Sequence, residues 1–295
     1  CVTDRKFIDT AIAFARLDDV IITTYGDLIR VPGSTSSLDE EKGKGHQVKI
    51  VYSILDALEM AKENPDKKVI FLGVGFETTT PSSAAGIVNA RKMGLKNFLL
   101  HSSHNVMPPA MTALIDEGVK IDGYIAPGHV STITGTKIYD GIPAKYNLGC
   151  VISGFEPVDL MQAILMLTRQ MENDDARVEI QYKRAVKREG NAKAREIVDK
   201  VFEARDDWWR GLGILKDSGL KLRNEFSYMD AEKAIAVDVE PTREDKGCIC
   251  GEILKGLKSP GDCKLFGKAC TPNDPVGACM VSNEGACAAW YRYRG

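Results

Sequence analysis

Six strand-sized apolar runs, each followed or preceded by a helical stretch, set the firmest limit on what this chain can fold into. They read VIITTY (20–25), VKIVY (48–52), KVIFLGV (68–74), NFLLHS (97–102), GYIAPG (123–128) and CVISG (150–154). Ahead of the first, Phe7, Ile8, Ala11, Ile12, Phe14 and Ala15 recur at helical spacing, and helical periodicity returns over 53–62 and 79–93. Strands alternating with helices of this length predict βαβ units and parallel sheet, hence an α/β fold. About seven strands suit two small α/β lobes better than one wide sheet, and 295 residues are enough for two or three domains. A short internal echo agrees: LGVGFETTTP (72–81) and VISGFEPVDL (151–160) both run strand, Gly-Phe-Glu, helix. The expected division is a first lobe over 1–77, a second over 78–185, and a helical, loop-rich region over 186–295 that carries the cysteine-rich tail.

Composition removes several classes. The formal net charge is −2, so no basic surface invites nucleic acid. No apolar run approaches the roughly 18 residues of a membrane span. The opening CVTDRKFIDTAIAFARL has neither a basic start nor an apolar core, so it is no signal peptide, and it reads as the interior of a domain. The expectation is a cytoplasmic protein lacking its N-terminal part. Beyond about residue 172 the texture becomes densely charged, with helical periodicity, and WWRGLGILKDSGLKLRNEF (208–226) reads as a packed, Gly-punctuated loop.

Polar residues gather where strands end. Gly73-Val74-Gly75-Phe76-Glu77-Thr78 starts like a dinucleotide fingerprint, but the third glycine is missing and a glutamate stands where pyrophosphate needs bare N–H groups. The plainer reading is a strand-to-helix turn, with Glu77 favoured at the helix start by roughly 0.3–1 kcal/mol. LLHSSHNVMPP and APGHVSTITG supply two more polar strand ends. Since ligands of open α/β sheets collect at the carboxyl ends of strands, His101, His104 and His129 are expected to converge with Glu77 and Glu156 in one crevice.

The tail carries the densest chemistry. Six of eight cysteines, Cys248, Cys250, Cys263, Cys270, Cys279 and Cys287, fall in the last 48 residues, with gaps of one, twelve, six, eight and seven residues. Thiolates bind zinc or iron–sulfur clusters. The paired CxxC knuckles of a zinc site are absent, and widely spaced single cysteines in a Gly/Pro-rich tail can wrap a cubane. Four ligands then leave two thiols over, which points to a dithiol exchanging electrons with the cluster.

The phrases GFETTTP, HSSHNVMPPAM, PGHVSTITG, SGFEP, WWRGLG, SGLKLRNEF and CKLFGKACTPNDPVGACMVSNEGACAAWYRY together resemble the HypD family of hydrogenase maturation proteins, over essentially the whole chain. That resemblance implies two Rossmann-like lobes and a third region with a [4Fe–4S] cluster held by Cys248, Cys263, Cys270 and Cys287. It implies that Cys250 and Cys279 form the redox pair. It further implies a scaffold that works with a HypC-type chaperone and a HypE-type cyanide donor, on which iron receives cyanide and carbon monoxide. The family's upstream Cys-Gly-Gly-His and Cys-Pro-Val-Cys motifs are missing, except that Cys1-Val2-Thr3-Asp4 matches the end of the second. Cys1 would be that motif's last cysteine and the receiving end of the thiol relay, with Glu77 and His129 facing it across the crevice. The rival readings are a free-standing iron–sulfur disulfide reductase and, behind it, a structural zinc protein.

Overall fold

The computed structural model describes residues 1–243 and 245–294. Nine strands occur in chain order: β1 (Val20–Thr24), β2 (Val48–Ile50), β3 (Lys68–Gly75), β4 (Phe98–Asn105), β5 (Gly123–Pro127), β6 (Gly149–Ser153), β7 (Val178–Ile180), β8 (Phe202–Trp209) and β9 (Gly213–Leu222). All six strands expected from the apolar runs are present. They fall into two sheets, one of six strands ordered β2-β1-β3-β4-β9-β8 and one of three ordered β5-β6-β7.

The first four strands of the large sheet are parallel, and the whole small sheet is parallel. β9 joins antiparallel to β4 at His104↔Leu220, and β8 antiparallel to β9, so the large sheet is mixed. This hairpin replaces the loop expected over 208–226. Its first strand, FEARDDWW, buries only its ends, Phe202 and Trp209, and four of the six residues between them are charged. That charge density hid the strand, while the helix expected before it is confined to Ala192–Val201.

Parallel sheet is covered on both faces, which is why its strands are apolar throughout. Helix Arg5–Ala15 packs Phe7, Ile8, Ile12 and Phe14 on one face of the large sheet, against Ile22, Ile70 and Leu72. Helices Ile54–Glu63 and Thr80–Lys92 cover the other, against Ile21, Val69 and Phe71. The small sheet has its own core around Tyr139, Ile142, Cys150 and Ile152. Sheet membership groups 20–105 with 202–222 and sets 123–180 apart. A cut at 77/78 falls between β3 and β4, which pair from Val69↔Phe98 to Gly75↔His104. The tail from 245 onward lies against the first lobe: Ala278 and Val281 enter its core, and Arg30 donates to the carbonyl of Val281 at 3.4 Å. Among the described residues no helix is long and apolar enough to cross a membrane.

Candidate metal centre and cleft

Regular structure is sparse in the tail: helices Cys250–Leu254, Ala278–Val281 and Ala286–Tyr293 are joined by tight turns. Those turns do the positioning. Cys248, Cys250, Cys263, Cys270, Cys279 and Cys287 all line one small cavity, walled otherwise by Ile253, Leu265, Phe266 and Met280. Cys250, Cys270, Cys279 and Cys287 are buried, and none of the six is in a disulfide. The Val276 N–H points at the Cys270 sulfur at 3.4 Å. Gly277 is needed beside them, since a Cβ there would stand 2.8 Å from the Cys248 sulfur.

The sulfurs form an electrostatic chain. Cys248 interacts with Cys250, and both Cys250 and Cys287 direct their thiols at Cys279. The Cys250 hydrogen bond, helped by that of Cys287, brings the Cys279 thiol down to about 4, making it the natural thiolate of the group. Cys287 and Cys248 are pushed up, first by donating to their neighbours and then by burial. Cys279 thus has two thiol neighbours, Cys250 and Cys287.

Beside the tail opens a cleft of about 470 Å³ lined by Cys1, Gly75, Thr78, Thr79, His129 and Ser282, among others. It draws on the end of β3, the helix after β5 and the tail. Cys1 and His129 are both exposed there. The His129 ring lies 5.0 Å from that of Phe155.

Glu77 turns the other way. Its Oε1 accepts the N–H of Met107 at 2.9 Å, at the start of helix Met107–Asp116, so it caps the following helix and not its own. Its buried Oε2 has no hydrogen-bond partner, and burial raises its pKa. It lines a separate cavity of about 420 Å³ with Thr80, Pro108, Ile133 and Val198. Glu77 and His129 therefore face different spaces, although Phe76 and Thr78 on either side of Glu77 reach the cleft.

The other two histidines lie inside β4, which runs three residues past its expected end. His101 stacks on Phe7 at 4.1 Å, with its Nε2 3.2 Å from the Phe7 carbonyl. His104, on the opposite face, meets the Ser83 hydroxyl at 2.9 Å. Glu156 pairs with Arg184 at 3.2 Å on the surface. None of these three joins the cleft. Two residues not anticipated from the sequence, Arg5 and Arg210, line a further hollow of about 490 Å³ that reaches Cys248 and Cys250. Nothing in the sequence near them signals this, because the contacts span more than two hundred positions.

A two-sheet α/β scaffold whose C-terminal segment gathers six thiols around one cavity defines the general class. The sequence matches the family described as HypD, hydrogenase formation hypA family, over residues 1–294. It is 47% identical over 294 residues to a hydrogenase expression/formation protein of Methanocaldococcus jannaschii, covering all of this chain and 82% of that one. It is 46% identical to the hydrogenase maturation factor HypD of Azotobacter vinelandii, covering 99% and 79%. With that of Cupriavidus necator it shares 44%, covering 99% and 80%. The chain belongs to the HypD family of hydrogenase maturation factors.

Proposed function

We propose that the chain is the scaffold on which the iron of a [NiFe]-hydrogenase receives its cyanide and carbon monoxide ligands, working in the cytoplasm with a HypC-type chaperone and a HypE-type cyanide donor. The observation that carries this is the gathering of all six tail cysteines around one cavity, with the cleft holding Cys1 built partly from the same tail. Six thiols around one apolar-walled space support a [4Fe–4S] cluster there, since a cubane takes one thiolate at each of four separate irons. Cys248, Cys263, Cys270 and Cys287 would hold the cluster, and their apolar neighbours would keep water from it.

When bound, the cluster supplies one-electron reducing equivalents. Cys250 and Cys279 would act as the dithiol: forming their disulfide passes two electrons and two protons to a disulfide that includes Cys1, and two one-electron reductions with uptake of two protons restore the thiols. Cys279, whose thiol pKa is lowered first by its neighbour Cys250, would be the nucleophilic member. Cys1 receives the exchange at the cleft, where iron is the cargo and soft ligands suit a thiolate-bound metal. His129, which lines the same cleft, would donate a hydrogen bond there. The test is anaerobic purification of the full-length protein with its chaperone partner. Four irons and four acid-labile sulfides per chain (about that ratio), with infrared bands of cyanide and carbonyl on the complex, are expected. Zinc without sulfide, or a complex that never shows those bands, defeats the reading.

A further inference from the structure

Arg5 opens helix Arg5–Ala15 yet is only 5% exposed. Its guanidinium donates to the carbonyls of Arg243 at 2.5 Å and Val276 at 3.5 Å, and its Nε has no partner. Among the described residues no carboxylate lies within ion-pairing distance of it. A buried cation without a counter-charge is strongly unfavourable, and arginine is rarely buried unless paired. Arg210, 4% exposed, lines the same hollow and donates to the Thr3 carbonyl at 3.4 Å. That hollow ends on Cys248 and Cys250. Among the described residues lining it, Asp245 accepts the Gly247 N–H at 2.8 Å, Lys255 pairs with Glu117, and Glu252 is exposed.

We infer that Arg5, with Arg210 beside it, is the built-in counter-charge of the thiolate-bound cluster and sets its reduction potential. The inference rests on the cluster reading above. A [4Fe–4S] group on four thiolates is negative in both redox states and more so when reduced. Fixed, buried positive charge in a hollow that shares Cys248 and Cys250 with the thiol cavity favours the reduced state and raises the potential, because charge and burial are among the levers that set cluster potentials. Arg5 also ties helix Arg5–Ala15 to the backbone at Arg243 and Val276, so the charge is held at a fixed place.

The experiment compares unaltered full-length protein with Arg5→Gln, which keeps some hydrogen bonding without the charge, and Arg5→Lys, which keeps the charge without the fork. Iron and sulfide are counted. The potential is then read by titration with a low-potential chemical reductant, followed by electron paramagnetic resonance. The expected result is a cluster in all three, a more negative potential in Arg5→Gln and an unchanged one in Arg5→Lys. Loss of the cluster from Arg5→Gln with its retention at the original potential in Arg5→Lys also supports the charge requirement. An unchanged potential in cluster-bearing Arg5→Gln overturns the inference alone. Equal shifts in both variants, or cluster loss from both, overturn it in favour of a purely mechanical clamp. Absence of iron and sulfide from the unaltered protein overturns this and the cluster reading together.

Discussion

His104 is buried completely and held neutral: burial brings its pKa from 6.5 down to about 4. The unfolded chain therefore takes up a proton first as pH falls. Stability from this group is full above pH 6.5 and is lost progressively down to about 4. A shift of that size corresponds to about 3 kcal/mol. Urea unfolding at a series of pH values should show the decline, and His104→Asn should flatten it across that window while lowering the starting stability. Glu41 behaves with the opposite group type but the same slope. Burial works to raise its pKa, yet hydrogen bonds from Arg16, Lys44 and Ser36 prevail and bring it from 4.5 to about 2. Its share is present above pH 4.5 and disappears toward pH 2, so acid unfolding should proceed in two stages. Among the thiols, Cys250→Ala or Cys279→Ala should leave iron content within roughly a fifth of normal and abolish cyanide and carbonyl bands. Ala at Cys248, Cys263, Cys270 or Cys287 should strip the cluster, since a cubane needs all four thiolates. Iron loss from the first pair would reverse the division of roles. Glu77→Gln keeps an acceptor for the Met107 N–H, so it should shift the unfolding free energy by no more than about 1 kcal/mol and leave iron content alone. His129→Ala, at an exposed cleft residue, should spare stability and lose the infrared bands.

Two elements meet without side chains where the sheet touches the tail. Gly211, in the turn between β8 and β9, has φ +82°, and a Cβ on it would stand 2.5 Å from the Gly251 Cα. The reciprocal Cβ on Gly251 would stand 2.7 Å from the Gly211 Cα. Gly251→Ala should cost about 1–3 kcal/mol, as overpacking does, and Gly211→Ala more, because its backbone is also left-handed. Hydrogen exchange over 245–294 should accelerate in both variants while β1, β3 and β4 keep their protection. That hairpin was also the part of the fold least legible in the sequence. Strands such as KVIFLGV announce themselves because a sheet covered on both faces needs an unbroken apolar run. FEARDDWW buries only its two ends and carries four charges between them. β4 hid its last turns differently, for HSSH looks like a strand end until Phe7 and Ser83 are seen to satisfy the two imidazoles. The tail cysteines were legible as a group because so many thiols in so few residues have few other uses. Their arrangement in space was not. Nor was the direction of Glu77: the backbone alternates there, so Phe76 and Thr78 reach the cleft and the residue between them does not. Arg5 could not be found at all, since its partners at 243 and 276 lie at the far end of the chain.

At the scale of the whole molecule, the three-stranded lobe sits in the middle of the chain that builds the six-stranded one. The tail packs its apolar residues into the core of the outer lobe, and meets the inner one where His129 lines the cleft. Chelation of iron from the purified protein should therefore act locally. Protection against hydrogen exchange should fall over 245–294, because metal binding and the folding of its ligands are coupled, while both sheets persist. Loss of protection throughout the molecule would show instead that the cluster supports the entire fold. The interrupted sheet has another consequence, which concerns synthesis. As the chain leaves the ribosome, β4 appears with its outer edge bare, and β9, which pairs with His104 and Asn105 at its end, is not made until residues 213–222. The inner lobe can complete its pairing by residue 180, so it forms while the outer sheet still waits. An unpaired edge is a template for other chains, and transiently exposed edges promote aggregation of folding intermediates. A truncation that stops short of β9 leaves that edge open permanently, so fragments ending between residues 181 and 212 should be recovered in the insoluble fraction even though most of the strands are already present.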